Sequence, residues 1–133
     1  MDDWIYQRQV PYKTVDEAVA QLKTSLGRHQ FGVLWDLDIN EKLAEKGVEP
    51  ERPYRILEVC SAPRAKEALA THQVAGYFLP CKVVVYEDAR TQAIMVGFVK
   101  PEVLMGLSRL AALESLAHEV HELLRAAVDE VAQ

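Results

Sequence analysis

CKVVVYEDARTQAIMVGFV, residues 81–99, is the stretch of sequence that decides the fold. Its β-branched run over residues 81–86 is typical of a buried central strand. The segment Glu87–Arg90 predicts a turn, and the apolar residues of 92–99 predict the returning strand. Because a hairpin makes its two strands antiparallel, at least part of the sheet is antiparallel.

Strands and helices alternate upstream of this hairpin. Apolar residues at alternating positions predict strands over residues 4–10, 31–38 and 54–60. In the second of these strands, the alternation places Val33 and Trp35 on one face. Capping side chains predict helices over residues 15–28, over residues 39–46 and directly after Ser61. The chain beyond the hairpin is helical, so the order is β-α-β-α-β-α-β-β-α. We therefore predict an α+β fold with a mostly antiparallel or mixed sheet and helices packed on one face.

The composition describes one compact, folded protein. Of the 133 residues, 50% are hydrophobic, which is enough for a core within a single domain spanning residues 1–133. The net charge of −5 argues against a general nucleic-acid binder, because phosphates need basic partners. No apolar run approaches the roughly 18 residues of a membrane span, so we expect no membrane partner. Two cysteines and an N-terminus without a signal-like apolar run favour a cytoplasmic location.

The C-terminal helical segment changes the direction of its apolar face near Ala111–Leu113. At about 100° per residue, the apolar residues before Leu113 and those after it, such as Val120 and Leu124, point in different directions. Either the helix breaks near this point, or its second half packs against a partner. The second alternative predicts a homodimer formed through the C-terminal helix.

The two cysteines form one candidate site. Cys60 closes one predicted strand and Cys81 opens another, each beside a turn. The helix between them carries the chain away by roughly 13 Å, and the extended return covers up to about 23 Å, so both sulfurs could lie at the same edge of the sheet. A thiol pair suits copper(I), zinc or a disulfide state. The alternative is that both cysteines are inert core residues.

A second candidate site lies on the C-terminal helix. Glu114, His118 and His121 share one stripe of this helix at spacings of four and three residues. Two imidazoles and a carboxylate within reach of one point are what a divalent metal site needs. The alternative is a solvated helix face with ordinary charge pairs.

Several short motifs between about Val10 and Pro101 resemble a known family. They are Gly32-Val33, Asp38, Glu41-Lys42, Lys46-Gly47, Tyr54–Cys60, Ala68-Leu69, Gly76, Leu79–Cys81 and Val83–Glu87. Together they resemble the domain-of-unknown-function family 302. The resemblance implies a small bacterial or archaeal α+β protein, and it implies no particular activity or cofactor. Where the family pattern usually reads Asn-Pro after the first cysteine, this chain has Ser61-Ala62, with Pro63 one place later.

The sequence is compatible with three alternative functions. No Ser-His-Asp arrangement, nucleophile elbow or glycine-rich phosphate loop is recognisable. The leading hypothesis is a protein that binds a small ligand or soft metal near Cys60 and Cys81. The second is a non-catalytic homodimeric interaction domain with inert core cysteines. The third is an enzyme that uses Cys60 as nucleophile with His118 or His121 as base.

Overall fold

A five-stranded antiparallel sheet is the centre of the structure, a computed structural model that describes residues 3–132. Its strands are β1 (Ile5–Val10), β2 (Gly32–Asp38), β3 (Tyr54–Cys60), β4 (Cys81–Glu87) and β5 (Ile94–Val99). The order across the sheet is β1-β5-β4-β3-β2, and every neighbouring pair is antiparallel. The predicted α+β class is confirmed, and of the two sheet types predicted the antiparallel one is present.

Within residues 3–132, five α-helices and one 3-10 helix connect and cover the strands. They are α1 (Val15–Arg28), α2 (Ile39–Glu45), α3 (Ala62–Thr71), the 3-10 helix (Gln73–Phe78), α4 (Pro101–Gly106) and α5 (Ala111–Ala132). The main core lies between one face of the sheet and helices α1 and α5. Its fully buried members include Leu22, Leu26, Leu57, Val83, Val85, Val96, Leu124 and Val128. Within residues 3–132, no helix combines the length and the apolar character needed to cross a membrane.

Two of the three predicted helix caps are formed. The Thr14 hydroxyl accepts a hydrogen bond from the backbone N–H of Glu17 at 3.1 Å, which satisfies a free amide in the first turn of α1. The Asp38 carboxylate accepts two such bonds at the start of α2. The Ser61 hydroxyl does not cap α3; among the described residues it accepts from the Arg64 guanidinium at 3.4 Å.

The C-terminal helical segment breaks between α4 and α5. Arg109, in the connection, has a φ of 60°, which no α-helix accommodates. The break reorients the second half so that Val120 and Leu124 both pack into the core of the same chain. The change of apolar direction in the sequence therefore marks this break, and the homodimer through α5 stays an untested prediction.

Strand β2 contains a bulge, and the predicted alternation of its side chains is therefore wrong after Val33. The pairing with β3 shifts between Val33, which lies opposite Val59, and Trp35, which lies opposite Glu58. The extra residue, Leu34, moves everything after it to the other face of the sheet. Val33 consequently packs against the core, whereas the Trp35 side chain is 52% exposed on the opposite face.

The face of the sheet opposite α1 and α5 is here called the open face. The strand register assigns to it Ile5, Gln7, Gln9, Gly32, Trp35, Leu37, Tyr54, Ile56, Glu58, Cys60, Lys82, Val84, Tyr86, Met95, Gly97 and Val99. Most of these residues are half-buried by their neighbours along and across the strands. The open face is thus a second, largely apolar surface on the same sheet.

Candidate functional site

Cys60 and Cys81 lie at adjacent strand ends without forming a pair. In the antiparallel register of β3 and β4, Cys81 lies opposite Val59. Directly opposed residues share a face, and successive residues alternate, so the Cys60 side chain points to the open face while Cys81 shares the face of the buried Val59. Both cysteines are free. The predicted thiol pair is therefore not confirmed, because the register separates the two side chains onto opposite faces.

Cys81 is a neutral thiol at physiological pH. Burial raises its pKa to about 11, and the nearby charges of Cys60 and Glu58 act in the same direction. The thiolate is the form that attacks disulfides and binds soft metals. In this environment Cys81 behaves as a small apolar residue.

An apolar cavity lies on the helix side of the two strand ends. Both Cys60 and Cys81 contribute to its lining, together with Phe31, Val59 and Met105. The cavity has a volume of about 30 Å³, enough for one or two water molecules at most. A ligand of several heavy atoms would not fit there.

A larger cleft opens at the end of the sheet, beside Cys81. We call it the sheet-end cleft; it is lined by Glu58, Tyr77, Phe78, Leu79, Pro80, Cys81, Lys82, Val99, Pro101, Leu104 and Met105. Its volume is about 390 Å³, which lies within the range of pockets that hold small organic molecules. Strands β3, β4 and β5, the segment after α3, and α4 all contribute to its walls.

Apolar side chains form most of the cleft walls. The 3-10 helix is anchored by the fully buried Ala75, and it presents Tyr77, which is 88% exposed. On the opposite side α4 supplies the half-buried Leu104 and the buried Met105. Aromatic and aliphatic walls of this kind hold the apolar body of a ligand.

One carboxylate and one ammonium group are the charged groups of the cleft. Glu58 and Lys82 lie opposite each other in the register of β3 and β4. Within residues 3–132 neither side chain forms an ion pair. The Lys82 ammonium is therefore free to neutralise an anionic group of a bound molecule.

The two histidines of the second candidate site share one hydrogen-bond partner, a carboxylate that the sequence pattern does not identify. The carboxylate of Glu102, in α4, is within hydrogen-bond distance of two imidazole nitrogens, the Nδ1 of His121 at 2.7 Å and the Nδ1 of His118 at 3.2 Å. Glu114 lies apart from them, exposed in the first turn of α5. Across the described residues, no three His, Cys, Asp or Glu side chains are grouped so that they could hold a metal ion.

The Glu102–His121 pair is a part-buried structural contact. Burial alone would raise the pKa of Glu102, but the hydrogen bonds from His121 and His118 outweigh it, and the pKa is lowered. The His121 ring packs against Phe98 and Tyr6. Its Nε2 atom is buried and has no hydrogen-bond partner within residues 3–132.

The cleft residues were not recognisable from the sequence as a group. Leu79-Pro80-Cys81 is visible as a turn before a strand, and Cys81 itself was a candidate. Tyr77 and Leu104 come from segments that lie on either side of the β4–β5 hairpin in the sequence. Only the folded arrangement brings them to Lys82.

Comparison with known proteins places the chain among relatives without an assigned activity. The sequence matches the family described as "Domain of unknown function DUF302" over residues 6–131. The fold is similar to the crystal structure of an uncharacterized conserved DUF302 protein from Bacillus stearothermophilus, with a TM-score of 0.91 and 35% sequence identity. That similarity covers 98% of this chain and 99% of the other. No curated protein matches the sequence.

Proposed function

Since this chain belongs to the DUF302 family, whose description names no activity, we propose from its own geometry that it is a non-catalytic binding protein. The ligand is a small organic anion with an apolar body, and it occupies the sheet-end cleft. The observation that carries this proposal is the cleft itself, with a volume of about 390 Å³, apolar walls and the ammonium group of Lys82 beside them.

The apolar body of the ligand would lie between Tyr77 on one side and Leu104 and Met105 on the other. Removing apolar surface from water contributes roughly 25 cal/mol per Å² of buried area, so the walls supply most of the affinity. Lys82 supplies orientation, because an ammonium group on a rigid strand fixes where the anionic group lies. The net charge of −5 disfavours anions elsewhere on the surface, which makes a local cation more selective.

Cys81 belongs to the wall of this site as a neutral thiol. Its raised pKa and its separation from Cys60 give no support to a soft-metal or disulfide role, so the proposal involves no thiolate chemistry. It keeps the sequence-based expectation of a small-ligand site near Cys81 and moves that site to the cleft.

A fluorescent anion with an apolar body tests the proposal. We expect 8-anilinonaphthalene-1-sulfonate to bind the native protein saturably, with one probe per chain. The Lys82→Glu substitution should weaken this binding by roughly tenfold or more, the usual weight of one charge-assisted contact. Leu104→Glu should weaken it as well, because it places a carboxylate in the cleft wall.

The matched control is Lys13→Glu, an identical change of charge at an exposed residue outside the cleft lining. It should leave binding of the probe within roughly twofold of the unmodified protein. The proposal fails if the probe does not saturate, or if Lys82→Glu and Lys13→Glu have the same effect.

A further inference from the structure

The open face of the sheet carries apolar side chains where a solvated sheet carries polar ones. In antiparallel sheets with one wet face, outward residues are mostly polar. On the three central strands, six of the ten outward positions are instead occupied by Tyr54, Ile56, Val84, Tyr86, Met95 and Val99. A contiguous apolar surface of this size on a protein marks an interaction site.

We infer that the open face is the interface with a second copy of this chain, so that two sheets pack face to face. Twisted sheets pack in this way in β-sandwiches, about 10 Å apart and roughly 30° from parallel. The open face shares Glu58, Lys82 and Val99 with the lining of the sheet-end cleft, but the inference rests on the apolar strands beyond them and does not depend on the proposed ligand.

The charges of the open face permit self-association. The chain as a whole has a net charge of −5, which opposes contact between copies at a random surface. Among the open-face residues, however, only Glu58 and Lys82 are charged, and their charges cancel. Glu51, Arg52, Glu87 and Asp88 lie at its margin, where they line a pocket with Tyr54, Ile56 and Tyr86. The charged residues within the open face therefore add no net repulsion between two copies.

The size of the open face approaches what a stable dimer needs. Five strands about 4.8 Å apart, each about 7 residues long at roughly 3.3 Å per residue, span about 24 Å by 23 Å. This projection is about 550 Å², and protruding side chains increase the accessible area above it. A standard interface buries about 800 Å² on each partner. The open face with its rim residues is close to that size.

The open face also has a hollow and a protruding side chain that fit each other. Gly97 has no side chain, and it forms the floor of a hollow of about 290 Å³ with Gln7, Tyr86, Val84 and others. The hollow lies toward the β1 edge of the sheet. Trp35, which is 52% exposed, lies on β2 at the opposite edge.

A two-fold axis brings these two features together. When the axis runs parallel to the strands, β2 of one copy lies over β1 of the other. Trp35 lies in the same cross-strand row as Val99 and Ile5, so Trp35 of each copy then lies over Ile5, in the wall of the hollow of the other. Tryptophan is the residue type that most often dominates the energetics of such contacts.

Sedimentation velocity over a range of protein concentrations tests the inference. We expect the unmodified protein to be a dimer at about 100 µM, a concentration at which interfaces of this size are formed. Trp35→Ala and Val84→Lys should raise the dimer dissociation constant by roughly 100-fold. Both are expected to keep the far-ultraviolet circular dichroism of the native fold. Trp35 is half-exposed in the chain, so its replacement provides a readout even if Val84→Lys fails to fold.

The matched control is Val48→Lys, at an exposed apolar residue in the connection after α2. It should leave the dissociation constant unchanged. A monomeric unmodified protein at about 100 µM would overturn the inference. So would a dimer that persists in both Trp35→Ala and Val84→Lys, because the interface would then lie elsewhere, for example on α5. Because Lys82 lies in both surfaces, the Leu104→Glu variant, whose residue lines the cleft and lies outside the open face, distinguishes a failure of the ligand proposal from a failure of this one.

Discussion

Gly97 on β5 lies opposite Gln7 on β1 at a distance that leaves no room for a side chain. A Cβ atom at Gly97 would lie 2.9 Å from the Gln7 Cβ and 3.0 Å from the backbone oxygen of Tyr6. Because one of these neighbours is backbone, relief of the clash requires β1 to move away from the sheet. The close approach of the two strands thus depends on this glycine.

We expect Gly97→Ala to lower the free energy of unfolding by roughly 1–3 kcal/mol, the usual cost of overpacking. Urea denaturation at one fixed protein concentration measures the change. Gly27→Ala is the control, because a Cβ at that helical position meets nothing within 4 Å of the described structure. It should stabilise α1 by about 0.4–1 kcal/mol. Equal midpoints for Gly97→Ala and the unmodified protein would contradict the close packing of β1 on β5.

The Cys81 thiol should resist alkylation throughout the neutral range. With a pKa of about 11, its thiolate is a minor species until the pH approaches that value. Treatment with iodoacetamide between pH 7 and pH 10, read by mass spectrometry, should label Cys81 far more slowly in the native protein than in urea. Rapid native labelling near pH 7 would contradict the buried, neutral thiol.

The raised pKa of Cys81 makes the free energy of unfolding depend on pH above about 9. The folded pKa of Cys81 is higher than the ordinary value of 9.0, so the folded state disfavours the thiolate. The contribution of the neutral thiol is fully present below pH 9 and is lost as the pH rises toward 11. Cys81→Ala removes this ionisation, so its midpoint in urea should fall less steeply over that interval than the midpoint of the unmodified protein.

Element order follows from local patterns in this sequence, whereas the placement of site residues does not. The hairpin over residues 81–99 and the Thr14 and Asp38 caps are local features, and the structure contains them. The bulge at Leu34 depends on how β2 pairs with β3, which alternation along one strand does not encode. A shift of one residue decides whether Trp35 faces the core or the open face.

The candidate sites depend even more on pairing between distant segments. The strand ends that carry Cys60 and Cys81 are adjacent, as the chain lengths between the cysteines predict, but only the register determines which face each thiol occupies. Likewise, the helical spacing of His118 and His121 is real, yet their shared partner Glu102 comes from the preceding helix. Spacing within one element cannot identify a partner from another.

Asp36 is expected to stabilise the protein at neutral pH through Arg55. The guanidinium donates two hydrogen bonds to its carboxylate, at 2.9 and 2.6 Å, and Lys23 lies 2.7 Å away. The hydrogen bond from Arg55 is the largest cause of an Asp36 pKa lowered to about 2. Asp36→Asn should reduce the free energy of unfolding at pH 7 by roughly 1–3 kcal/mol.

The stabilisation that Asp36 provides decreases as the pH falls. The folded pKa of Asp36 is below its ordinary value of 3.8, so the stabilisation is present above pH 3.8 and is lost as the pH falls toward 2. Urea unfolding at pH 7, 4 and 2.5 should therefore show the difference between Asp36→Asn and the unmodified protein shrinking only at the lowest pH. A difference that is constant across the three conditions would place its origin outside the ionisation of Asp36.

Glu102→Gln tests whether the His121 contact holds α4 against α5. The substitution keeps the shape of the side chain but removes the carboxylate that His121 meets at 2.7 and 2.8 Å. Because a hydrogen bond to a charged acceptor is worth more than a neutral one, the free energy of unfolding at pH 7 should fall by about 1–2 kcal/mol. The lowered pKa of Glu102 means that this contribution disappears as the pH falls below the ordinary carboxyl range.

Glu114→Gln is the control. Glu114 is exposed on the face of α5 that carries His121, and its replacement should change the free energy of unfolding by no more than about 0.5 kcal/mol. If Glu102→Gln lowers the free energy of unfolding as little as Glu114→Gln does, the carboxylate is dispensable, and His121 is held by its packing against Phe98 and Tyr6.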